Sequence, residues 1–185
     1  MSTVIHNGER RDTGMTTEDG DDDEIGEEWL SPENAHPRAA KLLKAEFFWD
    51  ITDENSPFGN DTGWDTKEFF RQWRGEHPGE SPLLFLNGLM RDWDAADRDW
   101  EVVDSAQVQQ LLGSDEFSFF IRDEAVLSLA FAQLVLEGEI DADVKRRALW
   151  AIERQSLPVL LGEWEDHQGE RARRLEAMKA VLERL

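Results

Sequence analysis

From Trp29 onward, apolar side chains recur at spacings of three and four, the period of amphipathic helices. Ser31-Pro32-Glu33 reads as a capped helix start that His36-Pro37 interrupts, and Pro37 then suits the first turn of a helix carrying Ala39, Ala40, Leu42, Leu43, Phe47 and Phe48. Asp65, with Glu68 three positions on, makes a capping box for a helix over 66–74 whose Phe69, Phe70 and Trp73 line one face. Ser81-Pro82 repeats the cap-plus-proline start, ahead of a stripe of Leu83, Leu84, Leu86, Leu89, Met90 and Trp93. Asp104 with Gln107 caps a short helix that stops at Gly113. Further on, the pattern predicts a helix over 123–137 ended by Gly138, and one capped by Asp141 that runs to about 155. A short segment from Pro158 to near Trp164 and a final helix over 170–185 complete the chain. Only 117–121 (FSFFI) reads as a strand, and a lone strand defines no sheet. The expected fold is therefore all-α, a single bundle or array of six to seven helices with short loops.

Two segments break this periodicity. Residues 1–28 are polar and rich in Asp and Glu, with too few apolar side chains to offset the entropy of ordering, so they are expected to form a disordered acidic leader to a helical domain over 29–185. The stretch 50–65 (DITDENSPFGNDTGWD) is loop by every local rule, with Pro57, Gly59, Gly63 and several Asx residues favouring turns.

Charge changes the picture most. Forty-one acids against twenty bases give a net charge of −21 and a pI near 4.4. Such a field repels nucleic acid and anionic membrane and attracts basic proteins or cations. There is no cysteine, hence no disulfide, thiolate metal site or cysteine nucleophile. No run of about 18 apolar residues predicts a membrane span, and residues 1–14 have no apolar signal core, so a cytoplasmic location is expected.

Catalytic signatures are missing: GxGxxG, P-loop, GxSxG and HExxH patterns do not occur, and His6, His36, His77 and His167 share no ligand spacing. No catalytic residue and no cofactor is expected. The loop offers oxygen ligands of the kind calcium prefers, the candidates being Asp53, Asn55, Asp61 and Asp65. The EF-hand order fails there, because Pro57 and Phe58 replace the third ligand and glycine, and Trp64 stands at position twelve. A structural connection packed under Phe58 and Trp64 is the preferred reading. Most tryptophans fall at helical spacing and belong to the core, whereas Trp64, Trp93 and Trp100 lie in or beside polar connectors and are interface candidates.

His36-Pro37, Phe47-Phe48-Trp49, Ser56-Pro57-Phe58-Gly59-Asn60-Asp61 with Gly63 and Asp65-Thr66, and Trp73-Arg74 form a distinctive series, continued by Ala148-Leu149-Trp150, Arg154-Gln155 and Leu157-Pro158. Over roughly 31–164 this resembles uncharacterised bacterial proteins of the YfeS type. The resemblance implies a compact domain in which the PFGND loop is a family feature, and it supplies no reaction. The functional expectation is a non-enzymatic protein–protein interaction module that binds a basic partner, an immunity or antitoxin-like role being one form. The alternative is a small enzyme or a domain binding a divalent cation or ligand, centred on 50–65.

Overall fold

The computed structural model of the chain describes residues 29–95 and 97–185. The leader expected over 1–28 lies outside the described residues. Among the latter, every regular element is helical: α1 (Pro37–Leu42), α2 (Asp61–Glu76), α3 (Pro82–Asp92), α4 (Ser105–Glu137), α5 (Ala142–Gln155), the single turn α6 (Pro158–Leu161) and α7 (Gln168–Leu182), with 3-10 turns at Glu46–Phe48 and Gly162–His167. The all-α expectation holds.

Where caps were legible, boundaries follow them. Ser81 accepts from the Leu83 amide with Pro82 in the first turn, and Asp141 accepts from the Asp143 and Val144 amides. Gly138 ends α4 in a left-handed conformation (φ 74°), and a Cβ there would also collide with the His36 imidazole.

Several expectations change. Residues 31–35 form turns instead of a helix, α1 beginning at Pro37. That helix then ends at Leu42, because the Trp49 indole donates to the Leu43 carbonyl (3.0 Å), the acceptor a continuing helix would have used for Phe47. α2 starts at Asp61, capped by Asn60 and not by Asp65, since Asn60 Oδ1 accepts from the Gly63 amide (2.8 Å). The stretch 117–121 is helical. Gly113 does not end the hydrogen-bonded run; Asp115 alone leaves helical φ/ψ, and its carboxylate accepts from the Ser118 amide, restarting the helix after a kink.

The second half of α4 is the hub. Residues 125–135 are buried on every side, as expected for a helix surrounded by others. α2 and α5 pack along it, and α7 packs against α5. Phe48 meets Phe131 in this core (5.4 Å between ring centres), and the first half of α4 forms a smaller cluster in which Val108 and Phe119 join Leu160 of α6.

Charge is buried in this interior. Arg154 (0% exposed) on α5 makes a two-pronged bond to Asp123 (1%) on α4, its Nε donating to Oδ2 at 3.0 Å and its Nη2 to Oδ1 at 2.6 Å. Nη1 of the same guanidinium donates to the carbonyls of Trp100 and Val102, fixing the connector before α4. Burial pushes the Asp123 carboxyl up, against the pull of Arg154. Trp100, expected near the surface as an interface candidate, is buried (5%) because its carbonyl is held by Arg154 and its ring is covered by Arg122 and Arg147.

Removing one member of this pair leaves the other charge buried and uncompensated. Arg154→Leu is expected to lower unfolding free energy by about 3–5 kcal/mol, and Arg154→Leu with Asp123→Leu to recover much of that loss, both read from urea denaturation midpoints.

Candidate functional site

The loop ahead of α2 is built from side chain–backbone turns. Asp50 Oδ1 accepts from the Thr52 amide (2.8 Å) and hydroxyl (2.7 Å); Asp53 Oδ1 accepts from the Asn55 amide and side-chain amide (both 3.0 Å). The bonds to Thr52 hold the Asp50 carboxyl below the usual carboxylate range, the Thr52 hydroxyl being the largest cause. Ser56 is buried and accepts from the Phe58 amide, while Phe58 (1% exposed) plugs the loop into the core. Gly59 lies against the Asp53 carbonyl so closely that a Cβ would overlap it.

Glu124 on α4 ties this loop to the rest of the protein. Its Oε2 accepts from Asn60 Nδ2 (3.0 Å); its Oε1 accepts from Gln155 Nε2 on α5 (3.1 Å) and Arg171 Nη2 on α7 (2.7 Å). Arg171 is buried (1%), also donates to Gln155 Oε1, and lies over the Trp164 ring at 4.6 Å. The Glu165 backbone next to that tryptophan has φ 45° and ψ −118°, a strained conformation for a residue with a side chain.

An open groove of about 460 Å³ lies above this network. Glu54, Asp61 and Glu124 supply its charge, Asn60 and Thr62 add polar groups, and Phe120, Ile121 and Trp164 form its apolar wall; no basic side chain lines it. Glu54 and Asp61 are exposed, whereas Glu124 is already matched by Arg171.

The four candidate oxygen ligands are dispersed. Asp53 is engaged by Asn55 and, through Oδ2, by Arg174 (3.3 Å). Asn55 is half-buried with Oδ1 lacking a protein partner. Asp61 and Asp65 sit one turn apart, exposed, on α2. Among the described residues no three His, Asp or Glu side chains are grouped to hold a metal ion. Of the tryptophans, Trp64 is half-buried beneath the Lys67 ammonium (3.4 Å to the ring centre), and Trp93 lines a second groove, between α2 and α3. Glu124 and Arg171 had no motif to mark them, and Gln155 stood out only through the Arg154-Gln155 pair of the family-like series. The available signal was the Arg122-Asp123-Glu124 triplet heading an otherwise apolar helix.

Beside Trp64, Glu68 accepts from Lys67 and from the Trp29 indole (3.2 Å) and pairs with Arg71 (3.2 Å). Burial disfavours the ionised carboxyl, but the Lys67 hydrogen bond and charge, the Trp29 hydrogen bond and the Arg71 charge together outweigh it and hold the group below the usual glutamate range.

The fold and site define an all-α protein in which buried carboxylate–arginine pairs anchor a long kinked helix beneath an acidic groove. The chain is weakly homologous to the uncharacterized protein YfeS of Escherichia coli (strain K12), 25% identical over 152 residues that cover 80% of this chain. It spans 60% of the length of that relative. No family model and no solved structure matches the chain. Among the described residues no helix is long and apolar enough to cross a membrane.

Two outcomes test this geometry. Gly59→Ala is expected to cost about 2 kcal/mol or more by forcing the Asp53 carbonyl away, with faster amide exchange over 53–60. Because the Glu68 pKa is depressed in the folded state, its stabilisation is present above the ordinary value near 4.5 and is lost as pH falls through the folded value. The stability gap between wild type and Glu68→Gln should therefore be full at neutral pH and close in acid, as followed by tryptophan fluorescence during denaturation at each pH.

Proposed function

We propose that the protein is a non-enzymatic interaction module that receives a basic segment of a partner protein in the groove beside the 50–60 loop. One observation carries this reading: the groove combines three carboxylates with an aromatic wall and has no basic side chain in its lining. A Lys or Arg side chain entering it would meet Glu54 and Asp61 at the rim and lay its aliphatic stem along Phe120 and Ile121. The net charge of −21 favours encounter with a cationic surface at long range, and the rim carboxylates give that encounter a place to end. Glu124 supplies shape more than charge, since Arg171 neutralises it from below. The network beneath the groove joins the loop, α4, α5 and α7, so the binding surface is rigid before the partner arrives, which lowers the ordering cost of binding.

The test uses an Arg- and Lys-rich peptide as probe in titration calorimetry. Binding is expected at low salt and should weaken steeply toward about 0.5 M salt. Glu54→Lys with Asp61→Lys should reduce affinity at least about tenfold. The same charge change made at exposed sites away from the groove, Glu153→Lys with Glu176→Lys, should reduce it far less. Equal losses in the two double variants would leave only a general field effect and refute the groove.

A further inference from the structure

The groove beside the 50–60 loop does not end at Phe120. The same ring lines a smaller hollow of about 250 Å³, whose far wall includes Val159, Leu160 and Glu163. Along α4 the positions facing the two spaces form one stripe, Gln109, Gly113, Glu116, Phe120 and Glu124, spaced three and four apart. The opposite wall is equally continuous: Val159, Leu160 and Glu163 face the hollow, and Trp164 faces the groove. The two spaces are therefore halves of one trough between α4 and residues 159–164. We propose that the whole trough binds one extended segment of a partner protein, in which an apolar side chain is flanked on both sides by Arg or Lys. This rests on the groove receiving a basic segment, as proposed above, and adds the apolar residue and the second cation.

The charges along the trough select that occupant. Glu54, Asp61 and Glu124 stand in one half, Glu116 and Glu163 in the other, and neither half has a basic side chain in its lining. Phe120 lies between the two sets, one turn after Glu116 and one turn before Glu124. Phe117 falls on the same face of α4, one turn before Phe120 and Ile121. It is 65% exposed, the most of any large hydrophobic side chain among the described residues, and it widens the apolar middle of the trough. An acidic segment would be repelled in both halves. A purely apolar one would cover carboxylates without pairing them, and an unbroken run of cations would set a charge against the rings of Phe117 and Phe120 where no acid waits for it. A cation, an apolar residue and a second cation meet the surface in its own order.

The spacing agrees with an extended chain. At about 1.5 Å per residue, Glu116 and Glu124 are separated by about 12 Å along α4, with Phe120 midway. Side chains on one face of an extended segment recur about every 6.6 Å, so cations two residues before and two residues after an apolar side chain are about 13 Å apart. One of them then reaches Glu116 and Glu163, and the other reaches the end where Glu54 and Asp61 carry the charge that Arg171 does not neutralise.

Titration calorimetry of the full chain with two blocked peptides tests this: Arg-Arg-Ala-Leu-Ala-Arg-Arg, and the same peptide with Ser in place of Leu. The Leu peptide should bind at least about fivefold tighter, and that ratio should persist toward about 0.5 M salt, because screening weakens the charge pairs and not the apolar contact. Phe117→Gln, a change on an exposed side chain that leaves the helical circular dichroism intact, should weaken the Leu peptide about threefold or more and the Ser peptide less than about twofold. Glu116→Lys with Glu163→Lys should weaken both peptides at least about tenfold, far more than Glu153→Lys with Glu176→Lys. Equal affinity for the two peptides, or a charge reversal at 116 and 163 no more harmful than the one at 153 and 176, overturns the extended trough. In either case a loss confined to Glu54→Lys with Asp61→Lys would still support the groove by itself, whereas indifference to that pair as well would remove both.

Discussion

Arg154 and Asp123 meet in the centre of the molecule with essentially no exposed surface, and that one pair ties together parts of the chain that are otherwise far apart. The guanidinium directs Nε and Nη2 to the carboxylate and Nη1 to two carbonyls of the connector before α4. A planar fork with donors on two edges can do this, whereas a lysine ammonium at the same point could not match the paired carboxylate oxygens. Two charges taken out of water are tolerable because each finds its hydrogen-bonding partners in place. The pair's value lies in geometry: it fixes the rotation of α4 relative to α5 and draws the Trp100 connector over both.

Once α4 is rotated in this way, the next residue is committed too. Successive helical positions point about 100° apart, so with Asp123 turned toward Arg154, Glu124 is carried to the neighbouring face, toward the 50–60 loop and α7. There it collects Asn60, Gln155 and Arg171. Two adjacent acids thus serve two different junctions, and both are met by arginine. Arg174 repeats the arrangement at Asp53 with its guanidinium over Phe47, as Arg154 lies over Phe119 and Arg171 over Trp164. Fifteen of the twenty bases are Arg, and these three junctions use what lysine lacks: each packs a flat, weakly hydrated cation between a carboxylate and a ring.

That arrangement also explains which parts of the fold were legible in the sequence. Local signals were sufficient for Asp141, Gly138 and Ser81-Pro82, where a cap acts within a few residues of itself. They failed where a distant partner decided. Asn60 outcompeted Asp65 as the start of α2 because its side chain both caps the helix and reaches Glu124. FSFFI has strand-like composition, yet Phe119 faces Arg154 and the Val108–Leu160 cluster, and Ser118 is recruited by Asp115 to restart the helix. Hydropathy assigns arginine to the surface, so periodicity alone could not place Arg154 or Arg171 inside. The loop was visible as a break in the pattern. The carboxylate that organises the candidate site was not, because its meaning depends on contacts 31 to 64 residues away.

The distribution of satisfied and unsatisfied surface is what gives the two grooves different characters. Beneath the loop, arginine has neutralised the acid that faces inward, and the carboxylates left over are those at the rim, Glu54 and Asp61. That is a surface whose remaining attraction is electrostatic and therefore falls with ionic strength. Between α2 and α3 the reverse holds: the rim charges nearly cancel, and what remains unsatisfied is the apolar area of Phe69 and Leu84. Apolar area of that kind gains from burial, a contribution that charge screening does not diminish. The two grooves thus differ in what they leave unsatisfied: carboxylate charge at one, apolar area at the other.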